Sequence, residues 1–539
     1  MKSEKLPVRI KPYIFGLVLA VIAAITANAD TLSKLPKAPT ASEFPVDDPL
    51  LVMLGQKLFY DPILSGNKNI SCGTCHNPLL GTSDGLSLGL GEGAIGLGSA
   101  RRITETNINR QRIPRNAPAL WNKGSDTFRA LLHDGRVMID PDERFGIKMP
   151  SGRELERPVN SLLAAQSLLP ILSADEMAGH PGENNIGNAV NEERIHGPQG
   201  AWQLLADRVS GIPEYRILFE WLHGPDHALH ITDITNAIGA FVAFEFRSTS
   251  SPFDAFLAGD ENALSPAQVA GMELFYGSSG CSACHSGKYQ TSQTFQSIGL
   301  PQIGPGKGQK GEDTTDKGRF LVTGEQDDTY KFLVPSLRNV TLTAPYGHDG
   351  AYPSLREILA HHLNPLERLM DYQISQARLF DVPQWRQNDR AVMDDINELV
   401  RIGAAIDVRL PSLSSNEHDN IIAFLGALED PSAARGRLGV PDRVPSGLPV
   451  ESIEDVSSIS TWENAGLSEI DNEAPIAKVI ASAAKMRSGP STKDSAIAVL
   501  MHNYIVDLLD TSKVGWWKVS THDGIEGFVA SSLLERTEP

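Results

Sequence analysis

The order of apolar and polar residues predicts a mostly helical chain over roughly the first 430 positions. The clearest helix is "SLREILAHHLNP", residues 354–365, where Ser354 and Glu357 have the spacing of a capping box. Five residues there share one helix face, at i, i+3, i+4, i+7 and i+8: Leu355, Ile358, Leu359, His362 and Leu363. His362 is therefore predicted to point inward, and His361 to lie on the polar side near Glu357.

The four cysteines of the chain fall in two CxxCH motifs. The residues are Cys72, Cys75 and His76 in "CGTCH", and Cys281, Cys284 and His285 in "CSACH". Two thiols three positions apart can form thioethers with the vinyl groups of haem, and the adjacent histidine can bind the iron. Disulfides or a zinc site are the alternatives, but disulfides would not require the histidines. The motifs predict two covalent haem c groups.

The regions around the two motifs resemble each other. "GQKLFYDPILSGNKNISCGTCH" parallels "GMELFYGSSGCSACH", and "LLHDGR" parallels "YGHDGA", which aligns His133 with His348. "LAAQSLLP" also parallels "LAHHLNP" and sets Gln166 opposite His362. This repeat predicts two mostly helical, cytochrome c-like domains in tandem.

The repeat also predicts that the two haems differ. His362 is expected to bind the second iron opposite His285, although an imidazole in an apolar stripe is also compatible with an ordinary core residue. Gln166 lies in the equivalent stripe of the first half, and an amide is a poor iron ligand. The first haem is therefore expected to be open. One open and one closed haem indicate chemistry beyond electron carriage.

Together these motifs resemble the bacterial di-haem cytochrome c peroxidases and their MauG-type relatives, over roughly residues 45–450. The resemblance implies that the N-terminal haem reacts with hydrogen peroxide and the C-terminal haem transfers electrons. It also implies a peroxide pocket formed by Gln166, Pro170 and Glu176, with Glu176 as general acid and base. A surface carboxylate is the alternative role for Glu176.

The same resemblance implies a calcium ion between the domains, held by the Asn116 side chain and the backbone carbonyls of Thr343 and Pro345. His348 is the alternative to His362 as iron ligand. Because its counterpart in the repeat is His133, it is expected instead beside the haem plane as a hydrogen-bonding residue.

The chain departs from the family pattern at three places that bear on the path of the electrons. His362 stands where the peroxidases have Met and MauG-type enzymes have Tyr. His133 replaces the tryptophan usually found between the haems. Between Asn77 and Leu132 there is no His or Met to close the first haem, as a loop histidine can in the peroxidases.

The C-terminal tail has a different pattern. After Leu428 the chain is rich in Pro, Gly and Ser, which predicts a linker over 431–472. From Pro475 apolar and polar residues alternate between glycine turns, and the segment resembles a bacterial SH3-like barrel. Trp516 and Trp517 either line a groove for a peptide or cell-wall ligand or belong to the core.

The N-terminus has the pattern of an export signal. A basic segment, thirteen mostly apolar residues and "ANA" before Asp30 predict a signal peptide over 1–29 and a periplasmic protein, with an uncleaved anchor as the alternative. Removing this segment takes away four basic residues and one acidic residue, so the formal net charge changes from −18 to −21. Such an acidic protein is not expected to bind nucleic acid and suits a basic or amphipathic protein partner.

The predicted fold is therefore mostly α, with two tandem haem domains and a small all-β SH3-like barrel. The expected boundaries are 45–250 for the N-terminal haem domain, 251–430 for the C-terminal haem domain, and 473–537 for the barrel. The expected function is an exported di-haem peroxidase supplied with electrons by a small redox protein such as cytochrome c. The alternatives are a MauG-type oxidase of a partner protein or other substrate, a di-haem electron-transfer cytochrome, and a cell-wall adaptor based on the barrel.

Overall fold

The computed structural model describes residues 35–103, 111–307, 314–433, 436–451, 476–481, 483–501, 505–520 and 526–537. The predicted signal peptide, residues 1–29, lies outside these described residues. None of the described helices has the length and apolar character needed to span a bilayer.

Helices dominate the part of the chain before the tail. The helices of the first half are α1 Pro49–Tyr60, α2 Cys72–Cys75, α3 Leu162–Ser167, α4 Asn185–Asn191, α5 Ala201–Ser210, α6 Pro213–His223 and α7 Ile231–Glu245. Those of the second half are α8 Pro252–Leu257, α9 Pro266–Tyr276, α10 Phe320–Thr323, α11 Leu355–Leu363, α12 Pro365–Met370, α13 Arg386–Arg390, α14 Ile396–Ala404 and α15 Ser415–Gly426. Short strands connect them: β1 Ala94–Ile95, β2 Arg102–Ile103, β3 Ala130–Leu131, β4 Val137–Ile139, β5 Ile147–Lys148, β6 Phe295–Gln296 and β7 Phe332–Leu333.

The same helix pair occurs in each half. The helix that precedes each CxxCH motif packs against the last helix of its half, α1 against α7 and α9 against α15. A glycine allows each close approach. A Cβ atom on Gly55 would lie 1.9 Å from the carbonyl oxygen of Ala237, and one on Gly271 would lie 1.8 Å from that of Asn420. Gly55 and Gly271 are the first letters of the two parallel sequence segments, so the repeat extends to helix packing.

Aromatic packing at the two crossings is also alike. In the first half the ring centroids of Phe59 and Phe241 lie 5.2 Å apart, and in the second half those of Phe275 and Phe424 lie 5.2 Å apart. Each crossing therefore buries a matched aromatic pair, and aromatic side chains contribute much of the apolar area in a protein core.

The tail folds as an antiparallel sheet of seven strands. Its strands are β8 Ile476–Val479, β9 Ala483–Arg487, β10 Ala496–Met501, β11 Ile505–Asp510, β12 Trp516–Ser520, β13 Glu526–Ala530 and β14 Leu534–Thr537. They are ordered β10-β9-β13-β12-β11-β8-β14, and the described residues do not pair the edge strands β10 and β14 into a closed barrel. On β12, Trp517 packs against the core and its neighbour Trp516 is half-buried on the opposite face of the strand.

Part of the predicted linker is packed against the first half. The buried carboxylate of Glu245 accepts hydrogen bonds from the backbone N–H groups of Leu438 (2.7 Å) and Gly439 (2.9 Å). The Ser446 hydroxyl donates to Asp61 Oδ1 at 2.6 Å, and the Thr74 hydroxyl donates to the Glu451 carboxylate. We refer to residues 436–451 as the strap. It differs from a free linker because buried acidic side chains fix its backbone.

Candidate haem and peroxide site

The first CxxCH motif forms the short helix α2, and its histidine is held in one orientation. Ser71 and Thr74 form a capping box at the start of this helix. His76 donates from Nδ1 to the carbonyl oxygen of Thr82 at 2.8 Å, which leaves Nε2 available to a metal. Burial lowers the pKa of His76, so the imidazole is neutral at pH 7, as a metal ligand must be.

The second motif repeats this arrangement on a 3₁₀ turn, Cys281–Ala283. His285 donates from Nδ1 to the carbonyl oxygen of Gln290 at 3.1 Å. Burial, with a smaller effect of the neighbouring His362, lowers the pKa of His285 to about 4. All four cysteine thiols in the two motifs are free of disulfides.

The two adjacent histidines of α11 have different surroundings. The helix begins after Ser354 as predicted, and the Ser354 hydroxyl accepts from the Glu357 N–H at 3.2 Å. The second bond of the predicted capping box is not formed, because the Glu357 carboxylate is paired with Arg368. His362 donates from Nδ1 to the carbonyl oxygen of Ile358 at 2.8 Å, and its side chain lines the same cavity as His285.

The prediction that His361 lies on the polar side was wrong. His361 is fully buried: its Nε2 donates to the carbonyl oxygen of Ile298 at 2.8 Å, and its Nδ1 accepts from the Tyr352 hydroxyl at 2.8 Å. A helical stripe defines one buried face, but the segments carrying Ile298 and Tyr352 cover a second face that the sequence period does not reveal.

A largely apolar cavity of about 340 Å³ lies where the two halves meet, and it contains residues from both motifs. Its lining includes the predicted site residues His76, Asn116, His133, Gln166, Cys281, Cys284, His285, Thr343, Pro345, His348 and His362. The structure therefore brings together eleven of the predicted site residues. Cys72, Cys75, Pro170 and Glu176 do not line this cavity.

The predicted peroxide residues lie on three consecutive elements. Gln166 is on α3 and shares the cavity with His76. Pro170 opens a 3₁₀ turn, Pro170–Leu172, and Glu176 lies in a π-helical turn, Ala174–Ala178. Burial raises the pKa of the Cys75 thiol, and the negative charge of Glu176 adds a smaller contribution.

Burial raises the pKa of the Glu176 carboxyl above its usual value, and the nearby cations Lys307 and Arg136 partly oppose this. Burial, with repulsion from Arg136 and Arg115, in turn lowers the pKa of Lys307 to about 8. A raised carboxyl pKa makes the protonated form accessible nearer neutral pH, which suits an acid that must also act as a base. Lys307 was not predicted as a site residue, because a lone lysine in a loop has no motif.

His133 and His348 line the same cavity, and both contact Asn116. His133 donates from Nε2 to the carbonyl oxygen of Asn116 at 3.1 Å, and the His348 ring stacks on Phe332 at 3.9 Å. Burial and the nearby Arg115 lower the pKa of His133 to about 4. Burial also lowers the pKa of His348, to about 3, so both rings are neutral at pH 7.

The three residues implied for calcium binding meet at the same cavity. Asn116 donates from Nδ2 to the carbonyl oxygen of Leu86 at 2.7 Å, which fixes the orientation of its amide. Thr343 and Pro345 belong to the segment that follows a 3₁₀ turn of the second half, Val340–Leu342. An amide oxygen and backbone carbonyls are the hard oxygen donors that Ca²⁺ prefers.

The residues present fit haem c. Each motif histidine keeps Nε2 for iron, because its Nδ1 is occupied by a backbone carbonyl. In addition, His348 Nδ1 and Trp121 Nε1 are buried at the cavity and have no hydrogen-bond partner in the described protein. Polar groups of a bound cofactor would satisfy such atoms, and leaving them unsatisfied costs free energy.

A buried ion network joins the two halves beside this site. Arg115 donates to both carboxylate oxygens of Asp316, at 2.6 and 2.8 Å, and to Asp134 at 2.7 Å. Arg136 also contacts Asp134, at 2.7 Å. This network was not predicted from the sequence, because Arg115 and Asp316 are 201 positions apart.

Comparisons with known proteins agree with the architecture. Residues 49–262 match the model of the di-haem cytochrome c peroxidase family, and residues 482–535 match the bacterial SH3 domain. The chain is 29% identical to the methylamine utilization protein MauG of Methylorubrum extorquens, over 65% of this chain and 80% of that protein.

The chain is also similar to peroxidases. It is 31% identical to cytochrome c551 peroxidase of Pseudomonas aeruginosa, over 57% of this chain and 70% of that protein. It is 30% identical to cytochrome-c peroxidase IdrP1 of Denitromonas iodatirespirans, over 64% of this chain and 83% of that protein. Family membership implies haem c cofactors and a peroxidase-type reaction. With its paired CxxCH motifs and its C-terminal bacterial SH3 domain, the chain belongs to the di-haem cytochrome c peroxidase and MauG family of oxidoreductases.

Proposed function

We propose that the protein reduces hydrogen peroxide at a haem held by the first CxxCH motif, with electrons that pass through a haem held by the second. The proposal rests on one observation. The first half contributes Gln166 and His76 to the lining of the cavity, whereas the second half contributes His362 and His285. An amide leaves an iron position open to peroxide, and an imidazole closes it.

When bound, the first haem supplies the iron at which peroxide is reduced, and the second supplies a redox centre for electron transfer. Gln166 orients peroxide by donating a hydrogen bond from Nε2, and it stabilises the negative charge that develops on oxygen. Apolar residues of the cavity, among them Leu163 and Leu131, exclude bulk water.

Glu176 transfers the proton. With a haem held by the first motif, the Glu176 carboxylate would take one proton from peroxide and return it to the oxygen that leaves as water. Two electrons and two protons convert each peroxide into two water molecules. Burial raises the pKa of the Glu176 carboxyl, which favours its return to the protonated form.

Pro170 is assigned a positioning role, because its ring fixes the turn between α3 and the turn that carries Glu176. Asn116, Thr343 and Pro345 are assigned to a calcium ion at the junction of the halves. His133 and His348 are assigned to the contact region between the haems.

The same proposal assigns a role to each segment of the chain. Residues 45–250 form the peroxidatic haem domain, 251–430 the electron-transfer domain and 473–537 the SH3-like domain. Residues 1–29 direct export to the periplasm. The acidic chain, with a formal net charge of −18, favours a basic or amphipathic redox protein as electron donor.

A second candidate is a MauG-type oxidase, which uses peroxide to modify a partner protein. What favours this candidate is that residue 362 is a histidine. Histidine gives a haem a lower potential than methionine does, so a second haem with two histidine ligands is easier to oxidise and can store an oxidising equivalent.

The experiment that tests the first proposal is stopped-flow mixing of the fully oxidised holoprotein with peroxide. An open first haem should react without prior reduction. A Gln166→His variant copies the second half and should close this haem, so its reaction with peroxide should fall by more than about tenfold. Gln166→Ala, which offers no ligand, is the control and should keep an open haem. A parent protein that changes its spectrum only after reductant is added would contradict the proposal.

A further inference from the structure

A cluster of potential metal ligands lies in the first half, away from the haem cavity. Helix α6 ends at His223 and α7 begins at Ile231, and the connection has the sequence "GPDHALH". One ligand atom each from His223, His227 and Asp233 lies within 4.8 Å of the others. None of these three residues lines the central cavity.

The local fold holds these side chains together. The imidazole Nε2 of His227 lies 2.8 Å from Oδ2 of Asp233, and the rings of His223 and His227 have their centroids 4.4 Å apart. Asp233 is itself fixed, because its Oδ2 accepts the backbone N–H of His230 at 2.8 Å. Gly224, with a φ of +95°, allows the chain to turn directly after α6.

We infer that His223, His227 and Asp233 form a binding site for a divalent transition-metal ion of the zinc and copper class. Two imidazoles and a carboxylate are a common ligand set for such ions, with water completing the coordination. His223 is exposed and the other two residues are half-buried, so an ion can enter from solvent. Calcium and magnesium, which prefer oxygen ligands, are not expected here.

Arg157 competes with the metal ion. Its guanidinium Nη1 lies 3.4 Å from Asp233 Oδ2 and 3.4 Å from His227 Nε2, and it donates to the carbonyl oxygen of Ala228 at 3.1 Å. The Arg157 side chain is 40% exposed, so it can move into solvent when an ion binds. Its positive charge opposes a second cation at the same place, and its removal should therefore strengthen metal binding.

A bound ion would cross-link the end of α6 to the start of α7. It would stabilise this connection at the edge of the first half, and it is not required for peroxide chemistry. Peroxide turnover should therefore be unaffected by loss of the site.

Equilibrium dialysis of the holoprotein against Zn²⁺, in excess Ca²⁺, tests the inference. Zinc and iron are both counted by atomic emission, so haem iron gives the protein concentration. In the holoprotein the motif cysteines are bonded to haem and do not bind zinc. The parent should bind one zinc per two irons at this site. His223→Ala and His227→Ala should each weaken binding by about tenfold or more, with haem content and Soret spectrum unchanged.

Two further variants complete the test. His196→Ala removes an exposed histidine elsewhere in the same half and should bind zinc as the parent does. Arg157→Gln should bind zinc several-fold more tightly. A parent protein that binds no zinc would overturn the inference, even if Arg157→Gln does bind it. Zinc binding that survives both histidine substitutions would overturn it as well.

Discussion

His361 and His362 are adjacent in sequence, yet only His362 keeps a ring nitrogen available for an iron. Both nitrogens of His361 are engaged, by the Tyr352 hydroxyl and by the carbonyl oxygen of Ile298. His362 uses only Nδ1, in a bond to Ile358, and it lines the same cavity as His285.

Replacement of His362 by Ala should convert the second haem from low-spin to high-spin, because the iron loses its sixth ligand. His361→Ala should leave it low-spin and should lower stability, since two hydrogen bonds of a buried residue are lost. Low-temperature electron paramagnetic resonance distinguishes the two results. A low-spin signal that persists in His362→Ala would assign the ligand to another residue, with His348 the first to test.

Substitution of Glu176 by Gln should slow the reaction with peroxide by roughly 10²–10⁴-fold, the usual effect of losing a general acid and base. The amide keeps the shape of the side chain but cannot transfer the proton. Stopped-flow rates measure the effect, and the pyridine haemochrome assay should give two covalent haems in both proteins. A rate within a few-fold of the parent would make Glu176 an ordinary buried carboxyl.

Eleven of the fifteen site residues predicted from the sequence line the cavity. The CxxCH spacing indicated the motif residues, and the position of His362 followed from helical periodicity. Lys307 and Tyr352 were missed because neither belongs to a motif. Their neighbours Glu176 and His361 are brought to them only by the tertiary fold.

The repeated helix crossing is the main structural element shared by the two halves. In α1 and in α9 a glycine contacts the backbone of the opposing helix, α7 or α15. The resemblance between "GQKLFY" and "GMELFY" predicted a duplicated helix. It did not predict that the glycine is the point of contact, because that depends on how two helices far apart in the sequence pack together.

Gly55→Ala should destabilise the protein by about 1–3 kcal/mol, the usual cost of overpacking, since its Cβ would overlap the Ala237 carbonyl. Gly271→Ala should have a similar effect in the second half. Gly426→Ala is the matched control: this glycine is also in a helix, nothing lies within 4 Å of its added Cβ, and alanine should be neutral or slightly stabilising. Thermal unfolding followed by circular dichroism gives the comparison. Equal melting temperatures for Gly55→Ala and Gly426→Ala would show that α1 and α7 can move apart at little cost in free energy.

The strap was predicted from the sequence to be part of a linker, but it is packed against the first half. Its composition of Pro, Gly and Ser is typical of a linker, but Glu245 and Asp61 bind its backbone and side chains from about 190 and 385 positions away. Contacts over such separations leave no local pattern.

At the scale of the whole molecule, the Arg115 network connects the first half to the second. Burial alone would raise the pKa of Asp134, but Arg115 and Arg136 outweigh it and lower this pKa to about 2. Because the folded pKa is below the unfolded value of about 3.9, the network stabilises the protein above pH 4 and loses this effect as the pH falls towards 2.

Asp134→Asn should therefore be less stable than the parent above pH 4, and the difference should shrink as the pH falls to 2. A pKa lowered by about two units corresponds to roughly 2–3 kcal/mol. Urea unfolding at several pH values measures the difference. A gap that stays constant between pH 5 and pH 2 would mean that the Asp134 charge does not contribute.

A stoichiometric assay with an electron donor tests whether peroxide is reduced at the first haem with electrons delivered through the second. The holoprotein is mixed with a reduced small c-type cytochrome, and known amounts of hydrogen peroxide are added while the oxidation of the cytochrome is recorded by absorbance. We expect two cytochromes to be oxidised for each peroxide consumed, and none to be oxidised before peroxide is added. A cytochrome that stays reduced while peroxide is consumed, or that is oxidised without peroxide, would contradict it.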